Sequence, residues 1–407
     1  MTTRRSFLNG AAALPFGAML NHAEGSALSA VPEQAGRDYF EELGLSSFIN
    51  AAAPYSSLSG SPMWPEVIEA MKYAMTRPVR MRELHDAVGK RIAEMSGSEA
   101  AMVTAGATSA ITLGTAACLT GTDSDLISRL PDTTGMKDEV IIQKGHRYSY
   151  EHAIRNCGVR LVEVETTADV GRAIGAATAM LMFNYSQLDR GRIGAEEWVG
   201  IGRARGIPTF CDGATMLPPI ENMYMLVNFG FDLLCFSGGK GLRGPYSAGL
   251  LMGRSDLVAA ARRNSAPNDD TIGRGMKVAK EEILGAMVAV EATAAFDYET
   301  NIKMKREWVD AIAAEIEKVP GVETLVRYPK GDNHQPQLRI TWDASRIRLT
   351  PAEAKQRLRE GDPVVEVHSL GLTDGHLELT AWVLEADQVP IVGRRVREVL
   401  EAARAGG

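Results

Sequence analysis

Short apolar runs alternate with longer helix-forming stretches through the middle of the chain. Residues 100–104 (Ala-Ala-Met-Val-Thr), 139–143, 160–165, 178–183 and 207–211 predict strands, and 107–119, 150–157 and 195–205 predict helices between them. Two further strand-like runs, 231–236 and 246–252, flank a glycine-rich turn. This alternation predicts βαβ units and an α/β architecture, with a mainly parallel sheet covered by helices on both faces. Ligands in such sheets gather at the carboxyl ends of the strands.

The flanks read differently. Residues 39–65 carry no regular pattern, which marks a functional arm or a segment draped over a partner. Helices are expected at 66–75 and 83–95. After Gly253 the pattern turns helical, with one long helix expected over 277–298 and another over 303–319. The last hundred residues alternate strands (336–342, 364–367, 377–383) with helices (351–359, 386–403), a smaller α+β domain. The expected division is a leader at 1–30, an arm at 31–65, a large domain at 66–275, and a linking helix with small domain at 276–407.

Composition narrows the function without choosing it. With 407 residues, 45% hydrophobic and 23% charged, the chain has the make-up of a globular protein with a large core. A net charge of −7 argues against sequence-independent nucleic-acid binding, which needs clustered Lys and Arg. Cys118, Cys157, Cys211 and Cys235 lie in apolar segments without C-x-x-C spacing, so buried thiols are expected rather than disulfides. The seven histidines show no metal-ligand spacing.

The amino terminus carries Arg4-Arg5 ahead of a small-residue apolar segment, 10–20, that is too short for a membrane span. That pattern resembles a twin-arginine export signal, which implies a periplasmic protein, use of the twin-arginine export machinery and no stable membrane insertion.

Chemistry concentrates at Phe236-Ser237-Gly238-Gly239-Lys240-Gly241-Leu242-Arg243-Gly244-Pro245. Gly239, Gly241 and Gly244 match G-x-G-x-x-G, but Pro245 and a strand follow where a dinucleotide fingerprint needs a helix. A P-loop would need glycine at 234, which is leucine. A lone lysine among glycines, three residues after a serine, instead suits attachment of pyridoxal 5'-phosphate (PLP). The glycines allow close backbone approach, and the serine hydroxyl can meet a phosphate oxygen. A desolvated lysine in such a pocket is also nucleophilic.

Other candidates fall at predicted strand ends. Asp212 follows the 207–211 strand, where a carboxylate can hold a pyridinium nitrogen protonated. Gly106, Ala107 and Thr108 open a helix, a ready phosphate cradle. His146 follows the 139–143 strand and is expected to stack on the ring and shuttle a proton. Gln187 is expected near the phenolic oxygen. Arg339 is a candidate to grip a substrate carboxylate, with Arg243, Tyr55 and Arg82 as weaker ones.

Taken together, 48–51 (Phe-Ile-Asn-Ala), 97–101 (Gly-Ser-Glu-Ala-Ala), Gly106-Ala107-Thr108-Ser109-Ala110, Cys211-Asp212-Gly213-Ala214, the 237–245 turn and 273–277 (Gly-Arg-Gly-Met-Lys) resemble one known group. It is the selenocysteine synthase (L-seryl-tRNA(Sec) selenium transferase)-like and D-glucosaminate-6-phosphate ammonia-lyase-like branch of fold-type I PLP enzymes. The resemblance runs from about residue 40 to the end. It implies Lys240 as the cofactor's lysine, Asp212 as the pyridinium partner, Gly106, Ala107, Thr108 and Ser237 near the phosphate, and His146 near the ring. It also implies a homodimer or higher homo-oligomer with the 273–277 loop reaching a neighbour. No tRNA-binding amino-terminal domain is expected, so selenium transfer is disfavoured. The expected activity is a lyase acting on an amino acid or amino sugar acid. The alternatives are an aminotransferase, a racemase, a selenium transferase-like enzyme, or a non-catalytic binding protein of the same fold.

Overall fold

A computed structural model describes residues 37–329, 334–369 and 371–404. The predicted export segment around Arg4 and Arg5 lies outside the described residues. Two compact units divide the chain at Ser47 and Phe48. In the first, Asp38 caps a single helical turn, Tyr39–Glu42.

The second unit is built on seven strands: β1 (Ala100–Thr104), β2 (Glu139–Gln143), β3 (Arg160–Val164), β4 (Thr178–Asn184), β5 (Thr209–Asp212), β6 (Leu233–Ser237) and β7 (Gly249–Gly253). Their order across the sheet is β1-β7-β6-β5-β4-β2-β3. The pairs from β6 to β3 are parallel, and β7 runs antiparallel to both of its neighbours. The central strands are apolar on both faces: every residue of β4 and β5 is buried. That is the pattern of a parallel sheet covered on both sides. One core holds Phe183, Trp198, Phe236 and Ile283, and the other holds Ile111, Met180, Phe210 and Leu233. Between β1 and β2, helix α1 (Gly106–Thr120) is buried over most of its length. Gly114 lets it lie against Phe210, whose ring would stand 2.4 Å from any added Cβ.

A separate core forms around β8 (Val322–Arg327), β9 (Gln337–Trp342) and β10 (Leu377–Thr380), an antiparallel sheet ordered β10-β9-β8. Residues of the expected irregular arm join it. Ile49–Asn50 pairs in parallel with Val365–Glu366, and Ile49 and Ala51 are buried in this core.

The two helices expected over 277–298 and 303–319 are both present with shifted ends: the first is Lys280–Ala294, and Asp297 caps the second, α2 (Tyr298–Ile316), by accepting from the Thr300 amide. A local Asp cap outcompetes continuation. Val278, Ile283, Ala286 and Val290 pack with the large sheet, whereas the helical contribution to the second core begins at Val309. The helix expected over 150–157 is also reduced, to a 3₁₀ turn at Ser149–Glu151 followed by His152–Arg155.

Candidate active site

A cleft of about 410 Å³ opens at the carboxyl ends of β1, β5 and β6, and its walls include Lys240, Asp212, Ser237, Gln187, Gly106, Ala107 and Thr108. These predicted residues come from four separate segments, and the sheet order brings them together. The connection from β1 reaches the same edge because β7 lies between β1 and β6. Gly249 of β7 must be glycine for this: a Cβ there would meet the Gly106 carbonyl carbon at 2.3 Å.

Helix α1 starts without a side-chain cap, its N-cap being Ala105. A helix of fifteen residues leaves its first amides unpartnered and carries positive partial charge at that end. Those amides belong to residues on the cleft wall, with the Thr108 and Ser237 side chains beside them. An anionic group fits that cradle.

At the opposite side of the cleft chemistry, Asp212 is buried at the end of β5. Its Oδ1 accepts from the Ala214 amide at 3.0 Å and from the Cys235 thiol at 3.6 Å, and its Oδ2 accepts from the Tyr148 hydroxyl at 2.7 Å. Burial, reinforced by Asp212, holds the thiols of Cys211 and Cys235 well above their usual range, so both stay protonated. The Tyr148 hydroxyl is likewise raised, first by burial and then by Asp212.

His146 does not reach the cleft, contrary to the expected stacking role. The turn Lys144–His146 is 3₁₀, which carries the imidazole inward behind β4. There it is fully buried, meets Phe183 edge-on at 4.5 Å, and accepts from the Asn184 amide at 3.3 Å. Burial lowers its pKa to about 4, so it is neutral. Tyr148, two residues on, stands in the cleft wall instead. No sequence signal separates it from His146: both lie in the loop after one strand, and the 3₁₀ turn at Lys144–His146 breaks the alternation that would fix their sides.

The predicted substrate arginines lie elsewhere. Arg339 is on β9, paired in register with Glu378 of β10, and Arg82 donates to Asn268 at 3.0 Å. Tyr55 shares a 2.8 Å hydrogen bond with His368, and Arg243 lines a second cavity. None of the four is on the wall of the Lys240 cleft.

No family model matches the chain. A 5'-C-glycyluridine monooxygenase-decarboxylase from Streptomyces sp is 32% identical over 374 residues, covering 89% of this chain and 92% of that one. The D-glucosaminate-6-phosphate ammonia lyase of Salmonella typhimurium is 26% identical over 375 residues, covering 89% and 98%. An L-seryl-tRNA(Sec) selenium transferase from Moorella thermoacetica is 32% identical over 186 residues, but these are only 41% of this chain and 37% of that one. The solved structure of a D-glucosaminate-6-phosphate ammonia-lyase superposes with a TM-score of 0.78 at 25% identity, covering 90% of this chain and 99% of the other.

Proposed function

The chain belongs to the selenocysteine synthase-like and D-glucosaminate-6-phosphate ammonia-lyase-like family of fold-type I PLP-dependent enzymes, and from that premise we propose that its cleft binds PLP and eliminates ammonia from an amino acid or amino sugar acid. The observation that carries the reading is the meeting of Lys240, Asp212 and the uncapped start of α1 in one cleft.

The residues present fit the cofactor. The amides of 106–108, with Thr108 and Ser237, would hold its phosphate, Asp212 its ring nitrogen, and Lys240 Nζ its aldehyde carbon. Bound PLP supplies an electron sink for a bond broken at the substrate's Cα. Lys240 Nζ is the base placed to take the Cα proton. Asp212, held by three donors and deep in a low-dielectric wall, keeps a proton on the ring nitrogen through charge-assisted bonding. The Tyr148 hydroxyl orients that carboxylate. For a 2-amino-3-hydroxy acid the sum is loss of water across Cα–Cβ, then hydrolysis of the released 2-aminoalkenoate to a 2-oxo acid and ammonia.

The 32% identity to a monooxygenase-decarboxylase favours a second reading, in which the Cα carboxylate leaves as CO2, one atom of co-substrate dioxygen bonds to Cα to give an amide, and the other leaves as water. The two part on products. Ammonia and 2-oxo acid formed without oxygen uptake support elimination; CO2 release with oxygen uptake supports the second. Borohydride reduction of the PLP-loaded protein, followed by peptide mapping, should place the label within 237–243. A label elsewhere overturns the assignment of Lys240.

Export, compartment and assembly belong to the same proposal. Arg4-Arg5 ahead of a short apolar segment supports folding and cofactor loading in the cytosol, then twin-arginine export to the periplasm. The four cysteines are free, as expected of a chain folded under reducing conditions. A homodimer is favoured by the exposed rings of Tyr150 and Tyr246 on the rim of the cleft.

A further inference from the structure

The turn that gives Lys240 to one cavity gives Gly241 and Arg243 to another. This second cavity, of about 130 Å³, shares no wall residue with the Lys240 cleft. Arg243 holds it open at a backbone cost. Its φ is +50°, left-handed, between Gly241 and Gly244, where a third glycine would be strain-free. In return its side chain is fixed. The guanidinium carbon stands 4.0 Å over the Trp64 ring, and Nε donates to the Pro62 carbonyl at 2.9 Å. No described residue accepts from its terminal nitrogens.

A second cation faces the same space. Lys305 lies on the α2 stripe Asn301, Met304, Lys305, Trp308, which all border the cavity. Its ammonium sits 4.0 Å over the Trp308 ring and donates to the Leu384 carbonyl at 2.7 Å, leaving two of its three hydrogens. Two buried polar atoms in the wall are also unspent. Ser61 (7% exposed) and Gln335 (3% exposed) have Oγ and Oε1 without partners among the described residues. Buried groups left this way are destabilising unless something completes them. Among the described residues the one carboxylate bordering the cavity is Glu385; it is exposed, and its charge partly offsets Arg243 and Lys305 without an ion pair to either.

Two cations, a hydroxyl and a carbonyl oxygen without partners, and walls of Trp64, Trp308 and Trp382 define a ligand chemistry. An anionic group answers Arg243 and Lys305, hydroxyls answer Ser61 and Gln335, and the C–H faces of a polyol chain pack on indole rings. We propose that this cavity binds a polyhydroxylated carboxylate of the sugar-acid class. Such a ligand is a separate effector: in a substrate that reacts at Cα the carboxylate shares a carbon with the amino group, so both stay in the Lys240 cleft. That assignment rests on the functional reading above; the site itself does not.

Sodium D-gluconate is the probe, because it has no amino group to react with a cofactor. Titration calorimetry on the full chain, with and without PLP, should show saturable binding in both forms. Arg243→Gly suits the left-handed backbone and so should fold and take up PLP as before, yet weaken gluconate binding by about tenfold or more. Lys305→Met should do the same by removing the buried charge. Simultaneous binding of gluconate and D-glucosaminate supports the effector site, and mutually exclusive binding overturns it. Absence of saturable binding, or binding untouched by both substitutions, overturns it. Loss of PLP labelling at Lys240 would instead overturn the functional reading and leave this one standing.

Discussion

The Tyr148 hydroxyl donates to Asp212 Oδ2 at 2.7 Å, so the carboxylate expected to control the reaction is itself held by a phenol from a neighbouring loop. The bond is part-buried and charge-assisted, a class worth about 1.5–3 kcal/mol. Tyr148→Phe should therefore lower unfolding stability by roughly 2 kcal/mol in urea titrations. In an Asp212→Ala background the same substitution should cost far less. Additive effects in that double-mutant cycle would show the two residues to be uncoupled.

Asp212→Ala should retain part of its PLP binding through the 106–108 cradle and Lys240 but lose turnover by about 100-fold or more, because the carboxylate matters most as negative charge develops. Absorbance of the bound cofactor and steady-state rates separate the two effects. Near-normal rates would remove Asp212 from the chemistry.

Stability should fall as the pH drops from about 6.5 to about 4. His85, His146 and His368 are each lowered to about 4, chiefly by burial, with Arg262 adding to the effect at His85 and Lys355 at His368. In that window the unfolded chain takes up protons that the folded chain refuses, so acid favours unfolding; above 6.5 the contribution is complete. Melting temperature measured against pH checks this, and His146→Gln should flatten the curve. A melting temperature constant across the window would contradict buried neutral imidazoles.

Replacing Arg4 and Arg5 by Lys should leave a folded, yellow precursor in the cytoplasm, while the unaltered chain is found processed in the periplasm. Fractionation with an antibody to the chain reads the outcome. Normal export of the variant would remove the twin-arginine route.

What the amino-acid sequence determined by itself is local or periodic. The βαβ alternation, the strand ends carrying Asp212 and Ser237, the helix start at Gly106 and the glycine-ringed Lys240 all follow from side-chain pattern and backbone freedom within a few residues. Strand order, and with it the gathering of four segments into one cleft, depends on which apolar faces meet, a property of contacts between residues far apart in the chain. The same holds for direction. His146 and Tyr148 are equally plausible at a strand end, and only a 3₁₀ turn packed against Phe183 sends the imidazole inward and leaves the phenol at the cleft. The cavity of Arg243 and Lys305 was invisible for a similar reason. Sixty-two residues separate its two cations, and an arginine in a glycine-rich turn reveals its left-handed backbone only once the surrounding packing holds it there.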